Sequence, residues 1–159
     1  MEINREKDEK YMRLAIEEAK LALKADEVPI GAIIVAGGRI VGRGHNLVET
    51  LVDVTAHAEI QAITAASSTI GGKYLNDCTL YVTVEPCPMC AGAIILARIA
   101  KVIWGVGDPK RGGGTVFGIF SHSGINHHPE ITEGVLEEES KLILQRFFRE
   151  RREAKGGAK

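Results

Sequence analysis

Two short runs carry residues able to do chemistry: His57-Ala58-Glu59 and Pro86-Cys87-Pro88-Met89-Cys90. They supply one imidazole, two thiols and one carboxylate. Imidazole and thiolate suit zinc, and three protein ligands leave the fourth corner of its tetrahedron open for water. Cys87 and Cys90 are three residues apart, so at a helix start both sulfurs fall on one face. A helix N-terminus and a bound cation both favour the thiolate form that a metal requires. Glu59 lies two residues beyond His57, and helix residues two apart do not face each other. His57 is therefore read as a ligand, and Glu59 as a base beside the metal. Zinc with two thiolates and a neutral imidazole is formally neutral. Its water ionises near neutral pH, and Glu59 can take the proton.

Activated water beside a proton-carrying carboxylate suits attack on an amidine-like ring carbon. Glu59 protonates the adjacent ring nitrogen and later the leaving amine; ammonia departs and a carbonyl remains. These residues alone do not choose among cytosine, adenine and guanine. A lone C-x-x-C also reads as a redox pair or half of a zinc ribbon. No second C-x-x-C is present, and the apolar flank is unlike a ribbon loop. The third cysteine, Cys78, precedes Cys87 by nine residues. A strand rising about 3.3 Å per residue puts it roughly 25–30 Å away, so Cys78 is read as an inert core thiol.

The chain has 159 residues, 45% hydrophobic and 26% charged. That is enough for one sizeable core and too short for two comfortable domains. We expect one domain over 1–153 and a frayed tail over 154–159. Net charge is −1, so any nucleic-acid signal must be local. No apolar run approaches the roughly 18 residues of a membrane span. The charged start MEINREKDEKYMR lacks a signal-peptide core. An odd cysteine count favours metal or redox use over a disulfide framework. The expectation is a cytoplasmic protein with no membrane partner.

The elements that must position these residues follow from periodicity. Tyr11, Met12, Ala15, Ile16, Ala19, Ala22 and Leu23 recur at helical spacing, predicting a helix over 8–24. Ile30 to Ala36 and Arg39 to His45 read as strands joined at Gly37-Gly38. Residues 46–54 read as loop. A helix is expected from Thr55 or Ala56 to about Ser67, with Glu59 in its first turn, where negative charge is favoured. Thr79 to Val84 reads as a strand. Cys87 to Ala97 is apolar nearly all round, predicting a buried helix. Lys101 to Val106 reads as a parallel-type strand, 111–114 as a glycine-rich loop, and 135–152 as a last helix. The stretch 116–130 has no clear period. A hairpin followed by alternating helix and strand implies a three-layer α/β/α fold: a central mixed sheet of about five strands with helices on both faces. Ligands in such sheets gather at the carboxyl ends of strands. Those ends carry His45 and Asn46, then 85–87, then Gly107 and Asp108.

The pairing of H-x-E with P-C-x-x-C resembles the zinc nucleobase deaminases. Further stretches resemble the bacterial tRNA-specific adenosine deaminases of the cytidine/deoxycytidylate deaminase superfamily. They are Glu27-Val28-Pro29-Ile30-Gly31-Ala32, Gly44-His45-Asn46, Thr55 to Glu59, Thr79 to Ile94, Asp108-Pro109-Lys110, Asn126-His127, Glu133 to Leu136, and Phe147-Phe148 before Arg151-Arg152. The zinc motifs belong to the wider superfamily; the Asp-Pro-Lys loop, the Asn-His pair and the Phe-Phe…Arg tail tilt the choice. The family's small-residue loop is longer by about one residue than 111–115 here. The resemblance implies zinc on His57, Cys87 and Cys90, proton shuttling by Glu59, and deamination of adenosine to inosine at the wobble position. It implies that Asn46 hydrogen-bonds the nucleoside, that Asp108 and Lys110 line the groove for a tRNA anticodon loop, and that Phe148 and Arg152 contact bases and phosphates. It also implies a homodimer.

Each implied contact has a plain structural counterpart. Asn46 can be a turn residue, Asp108 and Lys110 a solvated loop, Phe148 core packing and Arg152 a partner of the helix dipole. His122, His127 and His128 are read as non-ligands. Between 146 and 159, six basic residues stand against Glu150 and Glu153, a local patch that suits phosphate. Two rivals remain. One is a free-base or nucleoside deaminase of the same fold, guanine deaminase being the nearest. The other is a non-catalytic zinc-dependent RNA-binding or partner subunit.

Overall fold

The computed structural model describes residues 2–157. Helix α1 (Glu2–Lys24) leads into the hairpin β1 (Gly31–Ala36) and β2 (Arg39–His45). Then come α2 (Val48–Leu51), α3 (Ala58–Ile70), β3 (Cys78–Val84), α4 (Pro88–Leu96), β4 (Lys101–Val106), a short 3₁₀ turn at Ile119–Ser121, β5 (Glu130–Thr132) and α5 (Glu137–Gly157). The five strands lie in the order β2-β1-β3-β4-β5. β1 runs antiparallel to both β2 and β3, whereas β3, β4 and β5 are mutually parallel. The mixed five-stranded sheet expected from the sequence is what forms.

Side chains alternate across a strand, and each face gathers its own core. Ile33, Val35, Tyr81 and Ile103 pack with Tyr11, Met12, Ala15 and Ile16 of α1 and with Ile143 of α5. Ala32, Ile34, Leu80, Val82, Val102 and Trp104 pack with Ala58, Ala62 and Ala66 of α3 and with Ala91 and Ile94 of α4. The result is helix, sheet, helix, with α1 and α5 on one face and α3 and α4 on the other. β1 and β3, central in this sandwich, are almost wholly buried. Cys78 sits in the second core at 1% exposure.

The hairpin turn needs positive φ at both central residues, which Gly37 (+55°) and Gly38 (+76°) provide. Gly42 and Gly44 serve a different purpose. A Cβ on Gly44 would lie 2.4 Å from the Ala58 carbonyl oxygen, and one on Gly42 would lie 2.4 Å from that of Ala62. Their bare backbone lets α3, which carries Glu59, press onto β2.

Several boundaries differ from the sequence reading. α1 begins at Glu2 rather than near Asp8. Its first turns carry no apolar stripe, and they are supported by ion pairs such as Arg5–Glu9 at 3.3 Å. The expected loop 46–54 contains α2. α4 is buried on one face only, through Cys90, Ala91 and Ile94, whereas Met89 and Leu96 are exposed at 37% and 79%. α5 runs to Gly157, past the expected end near Arg152; residues 158 and 159 lie outside the described part. Among the described residues no helix is long and apolar enough to cross a membrane.

The close approach of α3 to β2 generates a stability prediction. Gly44→Ala must displace backbone, so it should cost about 1–3 kcal/mol in denaturant unfolding. Gly72→Ala is the control, because a Cβ there meets nothing within 4 Å. Equal midpoints for the two variants would contradict the tight contact.

Candidate active site

The topology brings one end of β2, β3 and β4 together, with α3 and α4 starting beside them. His57 is the N-cap of α3, with extended backbone, and Glu59 lies in the first turn. Cys87 is the N-cap of α4, Pro88 its first residue and Cys90 one turn on. Proline suits that first position because its missing N–H would have no partner there. The His57 Nδ1 atom lies 3.6 Å from Cys87 Sγ and 3.5 Å from Cys90 Sγ. All three donor atoms fall within 4.8 Å of one another.

These separations test the fit to a metal. Zinc–sulfur bonds of about 2.3 Å and zinc–nitrogen bonds of about 2.0–2.1 Å at tetrahedral angles give N···S edges of about 3.6 Å. The trio therefore has the edge lengths of three corners of a zinc tetrahedron. Cys78 is absent from this group, being at the far end of β3.

The electrostatics fit a metal-receiving group. The hydrogen bond from Cys90 holds the Cys87 thiol down at about 4; burial opposes this, and the bond to His57 adds to it. Cys90 is pushed well up, first by that same bond to Cys87 and then by burial. His57 is raised, chiefly by its bond to Cys87. Glu59 is buried at 4% exposure. Burial lifts its carboxyl to about 7, against the pull of its own backbone N–H; the neighbouring Cys87 charge lifts it further. A carboxyl near 7 can both accept and return a proton at neutral pH.

A cavity of about 370 Å³ opens beside this group, within the range of small-molecule sites. His57, Glu59 and Cys87 line it together with Asn46, Asp108 and Phe148. Asn46 donates from Nδ2 to the Val28 carbonyl (3.4 Å), and its Oδ1 accepts the Val48 N–H (3.2 Å). It is thus a turn residue and a wall residue at once. Each of its polar atoms keeps a second hydrogen-bonding position. Asp108 accepts the N–H groups of Lys110 and Arg111 through Oδ1, both at 3.0 Å. Phe147 takes the core position at 6% exposure, leaving Phe148 45% exposed on the cavity.

Lys110 and Arg152 are exposed and do not line the cavity. Of the basic tail, Arg151 is tied to the chain itself at the surface: it donates to the Asp26 carbonyl at 2.8 Å, pairs with the Asp26 carboxylate at 3.3 Å and lies over the Phe147 ring. His127 Nε2 lies 2.7 Å from the Ile99 carbonyl and His128 Nδ1 lies 3.0 Å from that of Phe120. Both anchor loops away from the metal group.

Two wall residues escape sequence reasoning. Glu27, 1% exposed, accepts the N–H groups of Glu49 and Thr50 and the Thr50 hydroxyl at 2.7–3.0 Å. Burial raises its pKa, but those hydrogen bonds outweigh burial and hold it below the ordinary value. Glu85, 4% exposed, receives the 108–115 loop. A signal was available for Glu85: a lone acid at the end of an apolar strand run, which must be buried and therefore partnered.

The comparisons agree with this geometry. The family model of the MafB19-like deaminases matches residues 6–152, which defines the class as deaminase. A tRNA-specific adenosine deaminase of Bacillus subtilis strain 168 is 49% identical over 153 residues, covering 96% of this chain and 95% of its own. A solved structure from a study of A-to-I editing by tRNA:A34 deaminases at the wobble position of transfer RNA has a TM-score of 0.82 at 45% identity, covering 84% of this chain and 98% of that one. The guanine deaminase from Nitrosomonas europaea superposes with a TM-score of 0.76 at 22% identity, covering 87% and 83%, a likeness of fold alone. The chain belongs to the tRNA-specific adenosine deaminase family.

Metal binding should be pH-dependent. The raised Cys90 thiol must lose its proton to become a ligand, so affinity should rise with pH, by about tenfold per unit for each proton released. Chelator competition at several pH values measures this. Affinity independent of pH would contradict the protonation pattern.

Proposed function

We propose that this chain hydrolytically deaminates adenosine to inosine at the wobble position of a tRNA anticodon, using zinc held by His57, Cys87 and Cys90. The observation that carries the reading is the buried Glu59 carboxyl beside that trio, on a cavity that His57 and Cys87 also line. Zinc bound there supplies an acidified water as nucleophile at neutral pH. Glu59 accepts a proton from the water and delivers it to the ring nitrogen beside the attacked carbon. It then carries a proton to the departing amine, so one water is consumed and one ammonia leaves. Burial, which favours its neutral form, suits a carboxyl that must both take up and give back a proton.

Asn46 hydrogen-bonds the nucleoside from the cavity wall, while Asp108 and Phe148 flank the base. A base stacked in its loop is out of reach, so the target nucleotide must be splayed into the cavity. Lys110 and Arg152, exposed outside it, suit contacts to the anticodon-loop backbone. The half-exposed stripe of Met89, Gly92, Ala93 and Leu96 on α4 supports a homodimer. A tRNA substrate supports a cytoplasmic location. The guanine-deaminase reading rests on distant fold similarity only.

Purified protein should convert adenosine in an anticodon stem-loop to inosine and leave free guanine and cytidine untouched. Glu59→Ala should keep its zinc and lose turnover by about 10²–10⁴-fold or more, because the missing group moves protons in the transition state. Brisk guanine turnover without stem-loop editing would overturn the assignment. A near-normal rate in Glu59→Ala would remove Glu59 from the mechanism.

The tail gives a second test. Arg151 ties α5 to the loop after α1, so it is left intact. Replacing Arg149, Arg152 and Lys155 with Ala should weaken stem-loop binding and flatten its salt dependence by up to about three phosphate contacts' worth of slope. Zinc content and the unfolding midpoint should not move. Unchanged RNA affinity would exclude the tail from the interface.

A further inference from the structure

We propose that Glu85 is a positioning residue: its carboxylate fastens the 108–115 loop to the strand end that leads into Cys87, and so sets the grip on substrate. This rests on reading the cavity as the substrate site. Glu85 directly follows β3, and its N–H donates to the Val106 carbonyl at 2.8 Å. Its two oxygens receive four hydrogen bonds from one loop. Oε1 accepts the Asp108 N–H (3.0 Å) and the Thr115 hydroxyl (2.7 Å). Oε2 accepts the N–H groups of Gly114 (3.1 Å) and Thr115 (2.7 Å). An ionised carboxylate is an acceptor only, with about four lone-pair sites, so this arrangement uses its whole capacity.

The loop is shaped around that carboxylate. A Cβ on Gly112 would lie 2.4 Å from Glu85 Oε2, and one on Gly113 would lie 2.8 Å from the Ala91 Cβ on α4. The Gly113 N–H donates to the Pro86 carbonyl at 2.8 Å. The glycine run is therefore needed for close approach, and it seats the loop on residues 85 and 86, immediately before the metal-ligating Cys87. What the loop presents to the cavity is Asp108, whose N–H is one of the four donors, and Arg111. Releasing the carboxylate frees both side chains, with His57, Glu59 and the cysteines left in place. The expected signature is weaker substrate binding with the chemical step retained.

The test uses Glu85→Gln, Thr115→Val and Thr115→Ser in the full chain. Gln turns an NH₂ group toward N–H donors and can satisfy only half of the loop. In the free Glu85→Gln protein, amide hydrogen exchange over 108–115 should accelerate by about tenfold or more, with exchange elsewhere unchanged. KM for the anticodon stem-loop should rise by about tenfold or more, with kcat within about threefold. Zinc per chain should stay at the wild-type value. Thr115→Val, which removes one donor and no fold-determining charge, should move exchange and KM in the same direction by less, and Thr115→Ser should restore both. Unchanged exchange in Glu85→Gln would overturn the proposal, as would loss of zinc or a fall in kcat at constant KM, since Glu85 would then act on the metal turn. The exchange measurement needs no substrate, so it stands whichever substrate the wild-type enzyme turns over.

Discussion

Three metal-seeking donors and one buried carboxylate must meet within a few ångströms, and no single secondary-structure element can supply them all. The chain meets this constraint by starting two helices side by side at one end of the sheet. His57 caps α3 and Cys87 caps α4, both with extended backbone, so each side chain projects from a helix start rather than along its flank. Cys90 follows one turn later on the same face. The close packing of α3 on Gly42 and Gly44, and of α4 on the β3–β4 region, fixes the two starts relative to each other. The Glu59 burial that raises its pKa is a consequence of this packing: the residue sits in the first turn of a helix pressed onto the sheet.

Around this centre the walls of the cavity are irregular backbone, which needs hydrogen-bonding partners when it is buried. Two acids provide them. Glu27 receives the second and third N–H groups of α2, Glu49 and Thr50, where the N-cap, Leu47, offers no side-chain bond. Glu85 receives the 108–115 loop. Each wall is thus tied to a rigid element by a carboxylate at the end of a strand or helix. Asn46 and Asp108 are presented to the cavity from backbone that the protein itself holds in place.

Much of the architecture was readable from periodicity, and the grouping of His57, Cys87 and Cys90 was readable from residue type and spacing. What was not readable depended on distant partners. α2 is four residues long; Asn46 bonds its first N–H locally, but the next two depend on Glu27, more than twenty residues upstream. The first turns of α1 are held by charge pairs, which carry no hydrophobic period. The uniform apolarity of α4 predicts complete burial, yet one face stays exposed; composition alone does not say which face meets the sheet. Arg151 shows the same limit. Its sequence context suggests phosphate contact, and only the fold reveals Asp26 beside it. Phe147 and Phe148 are adjacent and identical in type, and their division between core and cavity follows from the phase of α5 on the sheet.

The central claim is a three-ligand site with one position left for water. Zinc K-edge X-ray absorption on the purified protein tests it most directly. One zinc per chain is expected, with two sulfur neighbours near about 2.3 Å and two nitrogen or oxygen neighbours near about 2.0–2.1 Å, one of them exchangeable. Four protein ligands, or a third sulfur drawn from Cys78, would mark a closed structural site and contradict the catalytic reading.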